Sequence, residues 1–118
     1  MSTSRGAWAE AVVRDDLTGK GLILLEQNYR LNCGELDLVM RDNRSIVFVE
    51  VRYRASERWG GGLGSITPKK KRRLANAAAS YLKAHPQLAK LPCRFDVVAV
   101  TGSESVPDLK WIKAAFTS

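Results

Sequence analysis

The sequence contains few of the side chains on which nucleophilic and zinc-dependent enzymes rely: among 118 residues there are two cysteines and one histidine. Cys33 and Cys93 are too few and too far apart in the chain to form a zinc site. His85 precedes Pro86 at the expected end of a helix, which argues against serine–histidine or cysteine–histidine catalysis.

Long apolar segments are absent as well. No run approaches the roughly 18 apolar residues that span a bilayer, and the N-terminal segment lacks the apolar core of a signal peptide. We therefore expect a cytoplasmic protein with reduced thiols and no membrane partner.

What the sequence does have is an uneven distribution of charge. Residues 1–50 carry six Lys/Arg and eight Asp/Glu, a net charge of −2, whereas residues 51–118 carry thirteen and four, a net charge of +9. Acids in one part and an excess of bases in the other suit a nucleic acid as partner. A membrane fits less well, because no amphipathic helix pairs the bases with a large aromatic face. The alternative is a generally basic protein without such a ligand.

Two segments with the alternating pattern of β-strands flank the polar turn 41–44 and predict a hairpin. A loop formed by Asp42 and Asn43 would place Arg41 opposite Arg44. Because side chains alternate with period two, this register puts the acids of both strands on one face.

Those acids form a candidate metal site. In the predicted register Asp37 and Glu50 are diagonal neighbours, roughly 7–8 Å apart at the backbone. Glu35 and Arg52 share their face. Carboxylates that converge from this distance could bind a divalent metal ion between them. The alternative is a solvated strand face on which Arg52 and Arg54 balance the acids.

A second basic feature follows the hairpin. Thr67 and Pro68 predict the N-cap and first residue of a helix. Five basic residues, 69–73, follow at once, and each opposes the helix dipole by about 0.3–1 kcal/mol at low salt. A phosphate bound there would reverse the sign, since backbone N–H groups and lysines would donate to it. The alternative is a solvated run of charge.

Periodicity over the whole chain predicts one α/β domain, residues 1–118, with the element order α-β-β-β-α-β-β. In the first helix, 4–17, Glu10 lies beside the apolar stripe. There it would either border the core or pair with Arg14.

Two further side chains leave alternatives open. Asp96 lies in the middle of a strand, 94–101, with Arg94 on the same face, which predicts a structural ion pair or a supporting role at the site. Trp59 lies in a glycine-rich loop, where it would stack on a base or pack against the core.

Several motifs, spread over nearly the whole chain, carry a resemblance: Trp8-Ala-Glu10, Gly34-Glu-Leu-Asp37, Phe48-Val-Glu50-Val-Arg-Tyr-Arg54, a lysine-rich helix and Arg94-Phe-Asp96. In this combination the sequence resembles the YraN-like family of small bacterial proteins. That family is similar in fold to the PD-(D/E)XK nuclease superfamily, which includes archaeal Holliday-junction resolvases. The resemblance implies a mixed β-sheet flanked by helices, with a restriction-endonuclease-like core.

The resemblance also implies a site. Matching motifs make Glu10, Asp37 and Glu50 the acidic residues, and Arg52 stands where the superfamily has a lysine. Phosphodiester hydrolysis needs an activated water and a neutralised phosphate, which one or two Mg²⁺ or Mn²⁺ ions would supply. Asp37, Glu50 and the backbone carbonyl of Val51 would be direct ligands. Glu10 would bind through water or a second ion.

Arg52 is the departure from the superfamily pattern. An arginine stays charged, so it cannot help to deprotonate water, but it can clamp a phosphate with two hydrogen bonds. A lysine from Lys69 to Lys71 could substitute for the superfamily lysine in space. The implied function is binding of structured or branched DNA, with Mg²⁺-dependent endonuclease activity, and a junction substrate would favour a homodimer. The alternatives are a non-catalytic binding or adaptor module and a small basic protein bound to RNA or ribosomes. The residues expected to contact nucleic acid are Arg52, Arg54, Arg58, Trp59, Lys69, Lys70, Lys71, Arg72 and Arg73.

If these residues contact phosphates, DNA binding should weaken steeply with salt, because each neutralised phosphate releases counterions. About four to six contacts imply a log–log slope on the order of −4 to −5. Replacing Lys69, Lys70 and Lys71 together with alanine should flatten that slope by about 2–3 units, measured by fluorescence anisotropy over a salt series. An unchanged slope would place the binding surface elsewhere.

Overall fold

A five-stranded sheet with one helix on each face organises the chain. The computed structural model describes residues 5–53 and 66–116. Its elements are α1 (Arg5–Gly19), β1 (Ile23–Leu31), β2 (Gly34–Asp42), β3 (Ser45–Tyr53), α2 (Pro68–Ala84), a 3₁₀ turn (Leu88–Lys90), β4 (Cys93–Gly102) and β5 (Pro107–Phe116). The strands lie side by side in chain order; β3 and β4 pair in parallel and the other neighbours antiparallel. This confirms the predicted α/β class, mixed sheet and element order.

The two helices cover opposite faces because each places its apolar residues on one side. In α1, Ala9, Val13 and Leu17 are fully buried against one face of the sheet. The central strand β3 is apolar at consecutive positions, as expected of a strand covered on both sides. Facing α1 are Leu38, Met40, Val47 and Val49, and facing α2 are Val39, Ile46, Phe48 and Phe95.

Both ends of α2 follow the sequence signals. The Thr67 hydroxyl accepts the Lys70 N–H at 3.1 Å, and Pro68 begins the helix. At the other end the His85 ring donates from Nδ1 to the Tyr81 carbonyl at 2.8 Å and stacks on the Tyr81 ring. The only histidine therefore ends a helix, as predicted.

In the ranges that the structure describes, no helix is both long and apolar enough to cross a membrane.

The predicted hairpin register is wrong, because the loop lies one residue further along the chain. Asp42 pairs with Ser45, so the loop consists of Asn43 and Arg44. Asn43 adopts a φ of 56°, which asparagine tolerates better than most residues. Arg41 fixes that conformation by donating from Nε to the Asn43 carbonyl at 2.9 Å. A one-residue shift of the loop moves every partner by two positions, so the alternation of side chains is preserved.

Gly34 lets α2 approach the start of β2 closely. A Cβ atom at this position would lie 2.7 Å from the Arg73 carbonyl oxygen, nearer than real Cβ atoms come. The Arg73 side chain also donates to the Cys33 carbonyl, at 3.5 Å. The absence of a side chain at Gly34 therefore sets the spacing between α2 and β2.

Asp96 is fully buried and fully hydrogen-bonded. Its carboxylate accepts from Arg94 Nε at 3.0 Å, from the Trp111 indole at 2.9 Å and from the Ala114 N–H at 2.9 Å. Ala114 has a φ of 51° and lies in the segment of β5 where pairing with β4 is irregular. Arg94 also donates to Asp42 at 2.9 Å, which ties β4 to the end of β2. Asp96 is thus the predicted structural acid, and it holds the irregular segment of β5 in place.

Replacing Asp96 with alanine should lower the free energy of unfolding by roughly 3 kcal/mol, because the Trp111 indole, the Ala114 N–H and the Arg94 guanidinium lose an acceptor that is itself fully buried. Urea denaturation measures the change. Asp108→Ala, an exposed acid at the start of β5, should cost less than about 0.5 kcal/mol. Equal, small losses for the two variants would contradict the structural role of Asp96.

Candidate functional site

Strands β2 and β3 separate at Asp37 and Glu50. Backbone pairing ends at Leu38 and Val49, and Asp37 and Glu50 are the next residue on each strand. The Asp37 carboxylate, instead of a backbone carbonyl, accepts the Val51 N–H at 2.9 Å. We call this opening between the strands the fork. Its two acids face each other across the fork, not diagonally as predicted, because the hairpin loop lies one residue later.

Glu50 is the more deeply buried of the two acids of the fork, with 5% of its surface exposed. It lies on the α2 side of the sheet. Its Oε1 accepts no hydrogen bond from any described residue. Its Oε2 lies 3.5 Å from the Lys70 ammonium and 3.7 Å from the Arg52 guanidinium, both longer than the roughly 2.7–2.9 Å of a charge-assisted hydrogen bond. A solvated strand face, the alternative left open by the sequence, does not fit this burial.

The sequence predicts Lys70 as a phosphate contact and, with Lys69 and Lys71, as a candidate to take the place of the superfamily lysine in space. Sequence reasoning could not tell which of the three lies at the fork. In the structure Lys70 lies there, 3.5 Å from Glu50 Oε2. It lies in the first turn of α2, which the Thr67 cap holds in place. The signal that could have found it is topological: the helix that follows a strand in a parallel crossover begins near that strand's carboxyl end. Glu50 lies towards that end of β3.

Glu10 approaches Asp37 from α1, on the other side of the sheet. It is partly buried at the border of the core, as one of the two sequence alternatives predicted. Its side chain hydrogen-bonds to Asn28, whose φ of 54° interrupts the regular course of β1. The other alternative, a pair with Arg14, is not formed, since Arg14 donates to Asp15 at 3.0 Å and to Gln27 at 3.3 Å.

Burial and the charge of Asp37 raise the pKa of both neighbouring acids, Glu50 and Glu10. Burial raises the pKa of Glu50 to about 7, and the charge of Asp37 adds to the effect. Burial and the charge of Asp37 also raise the pKa of Glu10 to about 7. Burial raises the pKa of Asp37, although the Val51 N–H and the charge of Lys70 favour its charged form. Asp37 is therefore the neighbour that Glu50 and Glu10 have in common.

Glu35 lies away from the fork, unlike in the predicted register. Glu35 does not face Glu50; it pairs with Arg30 on β1 at 2.7 Å. Within the described ranges, no three His, Cys, Asp or Glu side chains already surround a common metal position. The structure thus brings Asp37 and Glu50 together and sets Glu10 beside Asp37.

The basic residues of α2 divide by exposure. Lys69, Arg72 and Arg73 are exposed, and Lys71 is partly buried with its ammonium 5.6 Å from the centre of the Phe116 ring. Together with Lys70 they form a basic surface beside the fork. The predicted contacts of Arg54, Arg58 and Trp59 lie outside the described residues.

Comparison with known proteins gives one consistent result. The family model described as "Uncharacterised protein family UPF0102" matches residues 9–100, which include Glu10, Asp37, Glu50 and Lys70. A UPF0102 protein of Stutzerimonas stutzeri is 50% identical over 117 residues, covering 99% of this chain and 98% of its own. One of Xanthomonas oryzae pv. oryzae is 54% identical over 112 residues, 95% of this chain and 90% of its own. One of Alkalilimnicola ehrlichii is 50% identical over 104 residues, 88% and 79%.

The raised pKa values predict how stability depends on pH in the absence of metal. The unfolded state releases the Glu50 proton near pH 4.5 and the folded state only near pH 7. The folded state therefore holds more protons in this window, and the free energy of unfolding should fall as pH rises through it. Glu50→Gln should remove part of this fall and be more stable than wild type at pH 8, by about 1–3 kcal/mol.

Urea denaturation in EDTA at pH 5, 6, 7 and 8 measures the effect. Glu104→Gln, an exposed acid in the turn before β5, should follow the wild-type profile. Stability that increases from pH 5 to pH 7 would show that the acids are stabilised by ion pairs and do not repel each other.

Proposed function

This chain belongs to the UPF0102 (YraN) family, and we propose that its fork binds a divalent metal ion and hydrolyses phosphodiester bonds of structured or branched DNA. One observation carries the proposal: the buried Glu50 carboxylate has an oxygen without a hydrogen-bond partner among the described residues, and it lies beside a partly buried acid, Asp37. Buried polar atoms are almost always paired, so an unpaired carboxylate oxygen next to Asp37 favours a cation as its partner.

The side chains of the fork fit Mg²⁺ or Mn²⁺. Mg²⁺ prefers oxygen ligands and is usually held by one or two carboxylates, with water and substrate phosphates completing its shell. Asp37 and Glu50 would be the carboxylates, with the Val51 carbonyl as a further ligand, and Glu10 would act through water or a second ion. A pair of acids without a complete protein cage suits this ion. A divalent ion there would supply Lewis acidity to the phosphate and to water.

The surroundings of the fork suit a phosphodiester substrate. Arg52 is close to Glu50, and it can hold a phosphate oxygen by two parallel hydrogen bonds. The exposed bases Lys69, Arg72 and Arg73 continue the positive surface along α2. A net charge of +7 supports long-range attraction of a polyanion. Such a substrate implies a protein that works in the bacterial cytoplasm, and a branched one would favour a two-fold dimer.

A second candidate is a nucleic-acid-binding or adaptor module without catalysis. It is favoured by Arg52, which remains charged at the position of the superfamily lysine and lies 3.7 Å from Glu50 Oε2. In that case the guanidinium would neutralise the acid in the resting protein and clamp phosphate in the complex. The same surface could serve RNA, which would make this a ribosome- or RNA-associated protein.

Metal binding should stabilise the folded protein, by about 2.7 kcal/mol at one hundred times the dissociation constant. Thermal melts with increasing Mg²⁺ or Mn²⁺ measure this as a rise in Tm. Asp37→Asn should abolish the rise, because an amide is a poor metal ligand. The metal-free variant should remain at least as stable as wild type, since the amide oxygen can still accept the Val51 N–H. Asp108→Asn is the matched control and should keep the rise.

Cleavage is tested with the same metals on single-stranded, duplex and four-way-junction DNA and on structured RNA. We expect junction or branched DNA to be cut, and Asp37→Asn and Glu50→Gln to be inactive. A metal-dependent rise in Tm with binding but no cleavage would favour the non-catalytic module. A melting curve indifferent to both metals would contradict the catalytic proposal.

A further inference from the structure

We infer that Lys70 is an exchangeable cation: it neutralises Glu50 in the metal-free fork and turns outward to a DNA phosphate when a divalent ion takes its place. Lys70 would then couple metal binding to DNA binding, a role beyond that of a simple phosphate contact. The inference rests on the proposed function, since it needs both a metal and a nucleic acid.

The contact between Lys70 and Glu50 is loose enough to be exchanged. Its 3.5 Å compares with 2.8 Å for the Lys20–Asp16 pair at the end of α1. The Lys70 side chain is 42% exposed, whereas that of Glu50 is 6% exposed. The ammonium can therefore leave towards solvent without any movement of the carboxylate. The backbone of Lys70 is fixed by the hydrogen bond of its N–H to Thr67, so the flexible four-carbon stem makes the change.

Of the two cations near Glu50, Lys70 is the one that can leave. The Arg52 side chain is 16% exposed, so it is more enclosed than Lys70. Both cations lie on the same oxygen, Oε2. A divalent ion on Glu50 would replace the attraction that holds the ammonium with repulsion between like charges. Lys70, the more exposed of the two side chains, can move away from the ion at the smaller cost in free energy.

The released ammonium would join a surface that already carries positive charge. Lys69, Arg72 and Arg73 are exposed on the same turns of α2. In the metal-free fork the charges of Arg52 and Lys70 offset those of Asp37 and Glu50. A divalent ion would leave an excess of positive charge, and a phosphate would neutralise it. Metal would thus strengthen the phosphate site through a side chain that previously faced an acid.

A comparison of variants with and without metal tests this exchange. Fluorescence anisotropy measures the Kd of a labelled four-way DNA junction for wild type, Lys70→Ala and Lys69→Ala, in EDTA and in Ca²⁺ at matched ionic strength. A denaturing gel confirms that the DNA stays intact. In EDTA, Lys70→Ala should weaken binding less than about twofold. In Ca²⁺ it should weaken binding about three- to tenfold and flatten the log–log salt slope by about one unit, as loss of one phosphate contact does.

Lys69→Ala is the matched control, because the Lys69 side chain is exposed and the described ion pairs of Glu50 are with Arg52 and Lys70. Its cost should be the same in EDTA and in Ca²⁺. Lys70→Gln keeps most of the stem without the charge and should behave like Lys70→Ala. Melting curves in EDTA establish that each variant is folded.

Two results would overturn the exchange. If Lys70→Ala weakens DNA binding equally in both buffers, Lys70 is a permanent phosphate contact. If it weakens binding in neither buffer, the ion pair between Lys70 and Glu50 never opens. Melts in Ca²⁺ separate these results from failure of the proposed function. If Ca²⁺ raises the Tm of wild type but not of Asp37→Asn, the metal site stands, and either of these binding results removes only the exchange. If Ca²⁺ has no effect on wild type, the metal site and the exchange both fall.

Discussion

The hydrogen bond from the Val51 N–H to the Asp37 carboxylate is the interaction on which the rest of the site depends. Two strands that stop pairing inside a protein expose backbone N–H groups, and such groups are seldom left without a partner. The Asp37 carboxylate supplies that partner, so β2 and β3 can separate. The same placement puts a negative charge beside Glu50 and Glu10, and with burial it raises the pKa of both to about 7. The Asp37 side chain thus accepts the N–H that the separated strand leaves exposed, and it adds negative charge that a cation would balance.

Asp96 shows that burial of an acid does not by itself indicate a ligand site. It is more deeply buried than Glu50, yet its oxygens accept from a guanidinium, an indole and a backbone N–H. Its charge is therefore fully compensated by the fold. Glu50 has two cations at long range and one oxygen without a donor among the described residues. The number of fixed donors separates the structural acid from the candidate ligand.

The parts of the fold that depend on local patterns could be predicted from the sequence. The order of elements, the Thr67 cap and the buried stripes of both helices follow from periodicity and capping residues. The hairpin register could not, because it depends on which of two adjacent residues adopts a positive φ, and Asn43 takes the first position of the loop. The convergence of Asp37 and Glu50 was still predicted, since a shift of two positions keeps both acids together.

Contacts between distant segments were the hardest to predict. The hydrogen bond that the Asn28 amide donates to Glu10 depends on a break in β1 at Asn28, where φ is 54°. The approach of Lys70 to Glu50 depends on how closely α2 packs against the sheet. That distance is partly set by Gly34, where even a methyl group would meet the Arg73 carbonyl at 2.7 Å. The charge balance of the fork is therefore sensitive to volume as well as to charge: a substitution on β2 that adds neither an acid nor a base would push the helix outward and carry the ammonium away from its carboxylate.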